Sequence, residues 1–368
     1  MNLSEKLSAP SWVVLQLLEQ CNLRCAICYE WGDAGTYHLK QKLAMLDFDV
    51  VLRTVEECLP SKPMFEFFGG EPLLYPGIWD VIRRIRKGGS DLAFSTNGTL
   101  LEENAERLVE AAPTQLWVSL DGPPSVNDAQ RGRDVFRRAT AGIKAIQRER
   151  RSRGSLFPRM GITYVITAAS YPHIEEFFLA SVDLSMLASV SIELQRYATA
   201  EQAQAFSLEL EREFGVRASA CAQGYVRDPS EFSGMDFESI ERQVIAVRKA
   251  CAENGVEFYS QPGTLDAGNI RSFFTANWHS MTDRRSRCGV PWLYAEISAR
   301  GDVTTCHTFY DLSIGNIYEQ SLLDIWKGAR LKRIQSFLRG GLFSICTACC
   351  RYYTGSGPAV ASEDLRER

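Results

Sequence analysis

Histidine is scarce in this chain. His38, His173, His279 and His307 are the only four among 368 residues, and their spacing matches no metal-binding pattern. Long apolar runs are missing too: no stretch reaches the ~20 residues that span a bilayer, which excludes a membrane partner. No basic segment followed by an apolar core opens the chain. Leu17-Leu18-Glu19-Gln20-Cys21 puts an acid where a lipoprotein cleavage site wants small residues. Charge of one sign is also lacking. Lys and Arg number 41 against 45 Asp and Glu, and the net charge of −4 argues against nucleic acid as a partner. The basic run Arg148-Glu149-Arg150-Arg151-Ser152-Arg153 reads as a solvated helix end and loop. What is present, 45% hydrophobic and 23% charged residues, is ordinary globular composition. The chain reads as cytoplasmic, so its eleven cysteines are expected to be thiols or metal ligands.

Three of those cysteines are grouped as Cys21-Asn22-Leu23-Arg24-Cys25-Ala26-Ile27-Cys28, just after the apolar stretch Trp12 to Leu18. A cubane iron–sulfur cluster normally takes four thiolates. Three on one loop would leave one iron open, and an open position is what separates reactive metal sites from structural ones. Zinc is the competing reading, but zinc modules favour paired C-x2-C knuckles, and no second knuckle or His ligand follows nearby.

Two further runs sit at strand ends. Met64 to Phe68 reads as a strand and leads into Gly69-Gly70-Glu71-Pro72. The two glycines allow close backbone approach to a ligand, and Glu71 offers a carboxylate to a cation. Gln115 to Leu120 reads as another strand and closes on Ser119-Leu120-Asp121-Gly122, followed by Arg131. An arginine suits a carboxylate because its planar fork can reach both oxygens; Arg133 is close enough to compete for that place. Ser95-Thr96-Asn97-Gly98 reads as a turn after a strand.

Periodicity gives the fold. Apolar β-branched runs at Trp12–Leu18, Met64–Phe68, Asp91–Ser95, Gln115–Leu120, Met160–Thr167 and Ser189–Gln195 alternate with helical spacing at Val50–Cys58, Ile78–Arg86, Leu101–Ala111, Ala139–Gln147 and His173–Ala180. Strands alternating with helices imply right-handed crossovers and a parallel sheet. An α/β fold is expected, a (β/α)6 partial TIM barrel with its motifs at strand C-terminal ends. Glu201–Phe214 and Ile240–Asn254 look helical, and Val256–Ser260 could be a strand. At this length two domains are the expectation. The division reads as a barrel over 1–200, a bridging, largely helical region over 201–280, a small α+β domain over 281–352 and a loose tail over 353–368.

The C-terminal third holds a second cysteine set. Leu293–Ser298 and Val303–Cys306 flank Ala299-Arg300-Gly301-Asp302 as a β-hairpin that returns Cys306 towards Cys288. Cys346-Thr347-Ala348-Cys349-Cys350 follows later. Two hairpin cysteines plus a C-x2-C knuckle suit zinc or a [4Fe–4S] cluster, and spacing does not choose between them. Cys58, Cys221 and Cys251 read as plain thiols.

Together these motifs resemble the radical S-adenosylmethionine (radical SAM) enzymes. The resemblance implies that Cys21, Cys25 and Cys28 hold a [4Fe–4S] cluster whose open iron is chelated by SAM. It further implies that Gly69, Gly70 and Glu71 hold the SAM ammonium, and that Ser119 and Arg131 contact its ribose and carboxylate. Tyr29, Thr96, Asn97, Asp121 and Leu194 complete the implied cofactor site. The distal cysteines resemble the family's auxiliary-cluster extension, known in two forms, SPASM and Twitch. The larger form ends in C-x2-C-x5-C-x3-C. No cysteine follows Cys350 here, so the one-cluster Twitch form fits, with Cys288, Cys306, Cys346 and Cys349 as ligands and Cys350 as the alternative to Cys349. Gly315-Asn316-Ile317 followed by Leu322–Trp326 also resembles that extension. No D-x-H-x-x-G stretch indicates a cobalamin domain.

The implied activity is reductive cleavage of SAM, with an electron from flavodoxin or ferredoxin, followed by hydrogen abstraction and an oxidative crosslink or dehydrogenation. A peptide or protein side chain is the favoured substrate, with a separate recognition protein as a possible partner. The first strand begins near Trp12, leaving no room for the N-terminal recognition domain many peptide maturases carry. Oxidation of a small molecule is the alternative. A non-catalytic iron–sulfur electron-transfer or scaffold protein is the alternative of another class. No acid or base is assignable from sequence.

Overall fold

The structure is a computed structural model that describes residues 8–32, 35–38, 40–217, 220–282, 288–349 and 352–353. Cys350 and, apart from Tyr353, the expected tail lie outside the described residues. The expected α/β partial barrel is present. Strands β1 (Trp12–Gln16), β2 (Met64–Phe68), β3 (Leu92–Thr96), β4 (Gln115–Ser119), β5 (Arg159–Ile166) and β6 (Ser189–Leu194) pair in parallel in sequence order. Helices α1 (Phe48–Cys58), α2 (Ile78–Lys87), α3 (Ala105–Ala111), α4 (Pro124–Arg131) and α5 (Val135–Arg153) cover the sheet. Their local logic is simple. The Asp47 carboxylate accepts from Asp49 and Val50 N–H and starts α1. Ile78, Val81, Ile82 and Ile85 put one apolar stripe of α2 in the core.

Three elements differ from the periodicity. The helix expected from Leu101 starts only at Ala105, and the one expected over Ala139–Gln147 runs Val135–Arg153. The helix expected over His173–Ala180 is a single turn, α6 (Ile174–Glu176), followed by a π turn over Phe177–Ser181.

The larger difference concerns the sheet. After α7 (Ala200–Phe214), α8 (Ala220–Gly224) and α9 (Phe237–Glu253), β7 (Glu257–Gln261) adds to β6 as a further parallel strand. This is the strand expected over Val256–Ser260, displaced by one residue; the long insertion before it obscured that it continues the barrel sheet. Beyond α10 (Ala267–Phe274), β8 (Tyr294–Ile297) pairs in parallel with β1, Trp12 opposite Tyr294. The expected hairpin forms from β8 and β9 (Asp302–Thr304), and β10 (Ser313–Asn316) extends it. The sheet therefore runs unbroken through ten strands, β10-β9-β8-β1-β2-β3-β4-β5-β6-β7. Helices α11 (Leu322–Lys327) and α12 (Ala329–Gly340) and a 3-10 turn at Ser344–Ala348 complete the C-terminal part. No helix among the described residues is long and apolar enough to cross a membrane.

Candidate functional site

The cysteine loop after β1 is pinned from several sides. Ala26 N–H donates to the Gln130 carbonyl at the end of α4 (2.9 Å), and Glu71 N–H donates to the Gln20 carbonyl (2.9 Å). The Arg24 guanidinium donates to the Cys21 carbonyl (2.8 Å) and lies 3.8 Å from the Trp31 ring centroid. The thiols face donors: Cys21 Sγ accepts from Leu23 N–H (3.4 Å) and Cys28 Sγ from Trp31 N–H (3.3 Å). Burial pushes the Cys21 thiol up to about 11 and Cys28 to about 12, and raises Cys25 as well. Such thiols stay protonated near neutral pH unless a cation takes the proton's place, which is what iron or zinc does.

Gly69 and Gly70 line the cleft next to this loop, at φ +74° and +38°. A Cβ on Gly70 would lie 2.0 Å from the Gln20 carbonyl oxygen. Glycine is thus required for the loop and the β2 end to touch. Gly70→Ala is expected to cost ~2 kcal/mol or more, read by denaturant unfolding, because it combines backbone strain with displacement of the loop carrying Cys21.

Glu71 lies behind the cleft wall, not on it. Its carboxylate accepts from Thr96 Oγ1 (2.8 Å), Asn97 N–H (2.8 Å) and Leu73 N–H (3.3 Å). Burial raises it to about 7, with those bonds pulling the other way. Asn97 then donates through Nδ2 to Asn22 Oδ1 (2.8 Å). Glu71 therefore sets the turn that holds the cysteine loop. Asp121 is likewise buried behind the wall. It accepts from Arg131 Nε (2.6 Å) and Val165 N–H (2.9 Å), joining α4 to β5. Burial opposes the charge on Arg131, but Asp121 outweighs it and keeps the guanidinium ionised. Arg131 lines the cleft, whereas Arg133 is exposed.

The cleft holds about 310 Å³ at the C-terminal ends of the parallel strands. Of the residues singled out from sequence, Cys21, Cys25, Cys28, Tyr29, Gly69, Gly70, Thr96, Asn97, Ser119, Arg131 and Leu194 line it; Glu71 and Asp121 do not. Sequence reasoning missed the barrel's inner wall: Glu66, Trp117, Glu193, Arg196, Tyr225, Arg227 and Gln261. For the strand residues a signal existed, since Glu66 and Glu193 are acids inside otherwise apolar strands, at the period-two positions that face inward.

A second cavity of about 70 Å³ is lined by Cys288, Cys306, Cys346 and Cys349. These thiols sit close enough to raise one another: burial, then Cys349 and Cys288, push up Cys306, and burial, then Cys306, Cys288 and Cys349, push up Cys346. Cys306 Sγ accepts from Phe309 N–H (3.2 Å), and Thr308 Oγ1 lies 3.1 Å from Cys349 Sγ. Among the described residues no three His, Cys, Asp or Glu converge to share one metal ion. Four thiols around one buried cavity are a donor set that a [4Fe–4S] cluster would accept, one thiolate to each iron. His307 lines both cavities, with Nδ1 2.6 Å from the Tyr294 hydroxyl.

The comparisons with known proteins agree with this arrangement. A family model described as the radical SAM superfamily matches residues 15–167, and one described as an iron–sulfur cluster-binding domain, SPASM, matches residues 288–350. The chain is a radical SAM protein with a C-terminal SPASM domain. Its cofactors are accordingly SAM and [4Fe–4S] clusters. This radical SAM protein is 24% identical over 361 residues to a tungsten-containing aldehyde ferredoxin oxidoreductase cofactor-modifying protein of Pyrococcus furiosus, covering 92% of this chain and 86% of the relative. A GTP 3',8-cyclase of Gloeobacter violaceus is 35% identical over 143 residues, which is 38% of this chain and 43% of the cyclase. In fold it is similar to Streptococcus suis SuiB bound to S-adenosylmethionine, with a TM-score of 0.62 at 16% identity over 99% of this chain and 76% of SuiB. It is also similar to anSMEcpe with bound AdoMet, with a TM-score of 0.61 at 15% identity, covering 95% of this chain and 92% of that one.

Proposed function

We propose that this radical SAM enzyme oxidatively modifies its substrate, by crosslinking or dehydrogenation, and that the substrate is a peptide or protein side chain. The observation that carries the reading is His307, whose side chain lines both the SAM cleft and the auxiliary cysteine cavity. An electron acceptor held by Cys288, Cys306, Cys346 and Cys349 would lie directly behind the wall of the cleft. When bound, the cofactors would supply the hard chemistry, reductive cleavage of SAM and hydrogen abstraction, with the electron coming from flavodoxin or ferredoxin. The chain's own residues bind, orient and shield. Cys21, Cys25 and Cys28 would hold the first cluster; Gly69, Gly70, Thr96, Asn97, Ser119, Arg131, Tyr29 and Leu194 would line the SAM site. Glu71 and Asp121 would act one step back, holding that wall in place.

A peptide substrate is supported by what the fold's neighbours hold: SuiB has been solved with the precursor peptide SuiA, and anSMEcpe with a Cp18Cys peptide. A small-molecule substrate is the second reading, favoured by the Pyrococcus relative, a cofactor-modifying protein that aligns with most of the chain. The cysteine content fits a cytoplasmic setting. Anaerobic reconstitution, iron and sulfide counting, and assay of the reduced protein with SAM and candidate peptides test the proposal. About eight irons per chain with 5′-deoxyadenosine is the expected result. About four irons with deoxyadenosine would remove the auxiliary acceptor and the oxidative step with it.

A further inference from the structure

The wall of the cleft that follows α8 carries two polar groups that the SAM site does not use. Tyr225 and Arg227 follow α8 on a short segment held from both sides. Ala198 N–H donates to the Tyr225 carbonyl (2.9 Å) and Arg227 N–H to the Ala198 carbonyl (3.0 Å), a parallel bridge to the residues after β6. The α8 end is tied to the SPASM part through the Asp311 carboxylate, which accepts from Cys221 N–H (2.7 Å) and Ala222 N–H (3.0 Å). The Tyr225 ring stacks on Tyr29 at 4.4 Å, next to Cys28. These side chains are therefore fixed before any ligand arrives.

Both are incompletely satisfied. The Tyr225 hydroxyl is buried, the residue being 2% exposed, and has no partner at full hydrogen-bond geometry; the Tyr29 side chain, close enough to pull its pKa down, is a near but incomplete match. Buried hydroxyls are normally paired, so an orphan on a cavity wall marks where a ligand atom completes the set. Burial raises Tyr225 well above its ordinary value, which keeps it a donor. The Arg227 guanidinium uses one terminal nitrogen, NH1, on the carbonyls of Val226 (2.7 Å) and Gly224 (3.4 Å). Among the described residues no carboxylate pairs with it, whereas Arg131 pairs with Asp121 and Arg196 with Glu193 in the same cleft. A donor hydroxyl beside an arginine without a carboxylate partner is complementary to an anionic oxygen group.

We infer that Tyr225 and Arg227 form a specificity subsite for a carboxylate of the substrate. This rests on the radical SAM reading above and deepens it by naming a substrate class. The carboxylate can come from an acidic peptide side chain or from a small organic acid.

The test uses oxidised, cluster-loaded protein with SAM present. Saturation-transfer NMR measures binding of N-acetylglutamate methylamide against its glutamine analogue, and of glutarate against glutaramide. The acid of at least one pair is expected to bind about tenfold more tightly than its amide, the size of one charge-assisted bond. Tyr225→Phe and Arg227→Gln are expected to erase that difference while the SAM dissociation constant stays unchanged. Preference within the first pair assigns the site to peptides, and within the second to small acids. Acid and amide binding alike, or Arg227→Gln weakening SAM instead, would overturn the subsite. The deoxyadenosine assay on the unaltered protein reads the enzyme assignment separately, so the two can fail independently.

Discussion

Replacing Cys25 with alanine is expected to abolish 5′-deoxyadenosine formation and to remove about four of about eight irons per chain. Cys25 sits between Cys21 and Cys28 on a loop whose backbone is tied to α4, and its thiol lies 3.7 Å from the Arg131 carbonyl. The loop has no other thiol to substitute: among the described residues Cys58, Cys221 and Cys251 are buried in the core. Cys251→Ala, on α9, is the matched control and is expected to keep the full iron count. Iron content and deoxyadenosine, measured on both variants, separate loss of a ligand from general loss of folding. Retention of all iron by the Cys25 variant would remove the assignment of this loop.

Asp121→Ala is expected to destabilise the protein by about 3–5 kcal/mol, the cost of leaving a buried arginine without its counter-ion. Both partners are shielded, with side-chain exposures of 0% for Asp121 and 11% for Arg131, so water from the cleft replaces little of the lost carboxylate. The change also frees Val165 N–H from its acceptor. Replacing the pair together, Asp121→Asn with Arg131→Gln, is expected to cost less than Asp121→Ala alone, since no charge is stranded. Denaturant unfolding of the three proteins measures the ordering, and equal losses would show that the ion pair is not what holds α4 against β5.

Much of the site was readable because the family's chemistry is concentrated in short runs. Cys21 to Cys28 and Gly69 to Glu71 announce themselves by residue type, and the strands they follow are apolar enough to be found by period alone. Glu71 and Asp121 show the limit of that reading. A carboxylate next to a ligand-binding run looks like a ligand contact, yet both are turned into the protein, and only the packing of Thr96, Asn97 and Arg131 around them shows it. The inner wall was harder still. Tyr225 and Arg227 sit in a region with no strong period, and their place in the cleft depends on a bridge to Ala198 made across an insertion. The strand β7 was legible at Val256–Ser260, but the same insertion hid its pairing with β6. Of Arg131 and Arg133, between which the sequence leaves competition, Arg131 lines the cleft and Arg133 is exposed.

The pairing of β8 with β1 has a bearing on how the chain is made. Ser11 and Leu293, joined by the Ser11 N–H bond that begins this pairing, are 282 positions apart. On the ribosome the first strand therefore emerges long before its neighbour exists. Until the last third is synthesised, one flank of β1 has unpaired N–H and C=O groups open to any other strand. Contacts this distant in sequence form late and slowly, and a half-finished chain of this kind is prone to aggregate. The step that completes the sheet is the same one that brings the second cysteine set to the barrel, so a molecule with its auxiliary site assembled is one whose folding has already been checked from end to end.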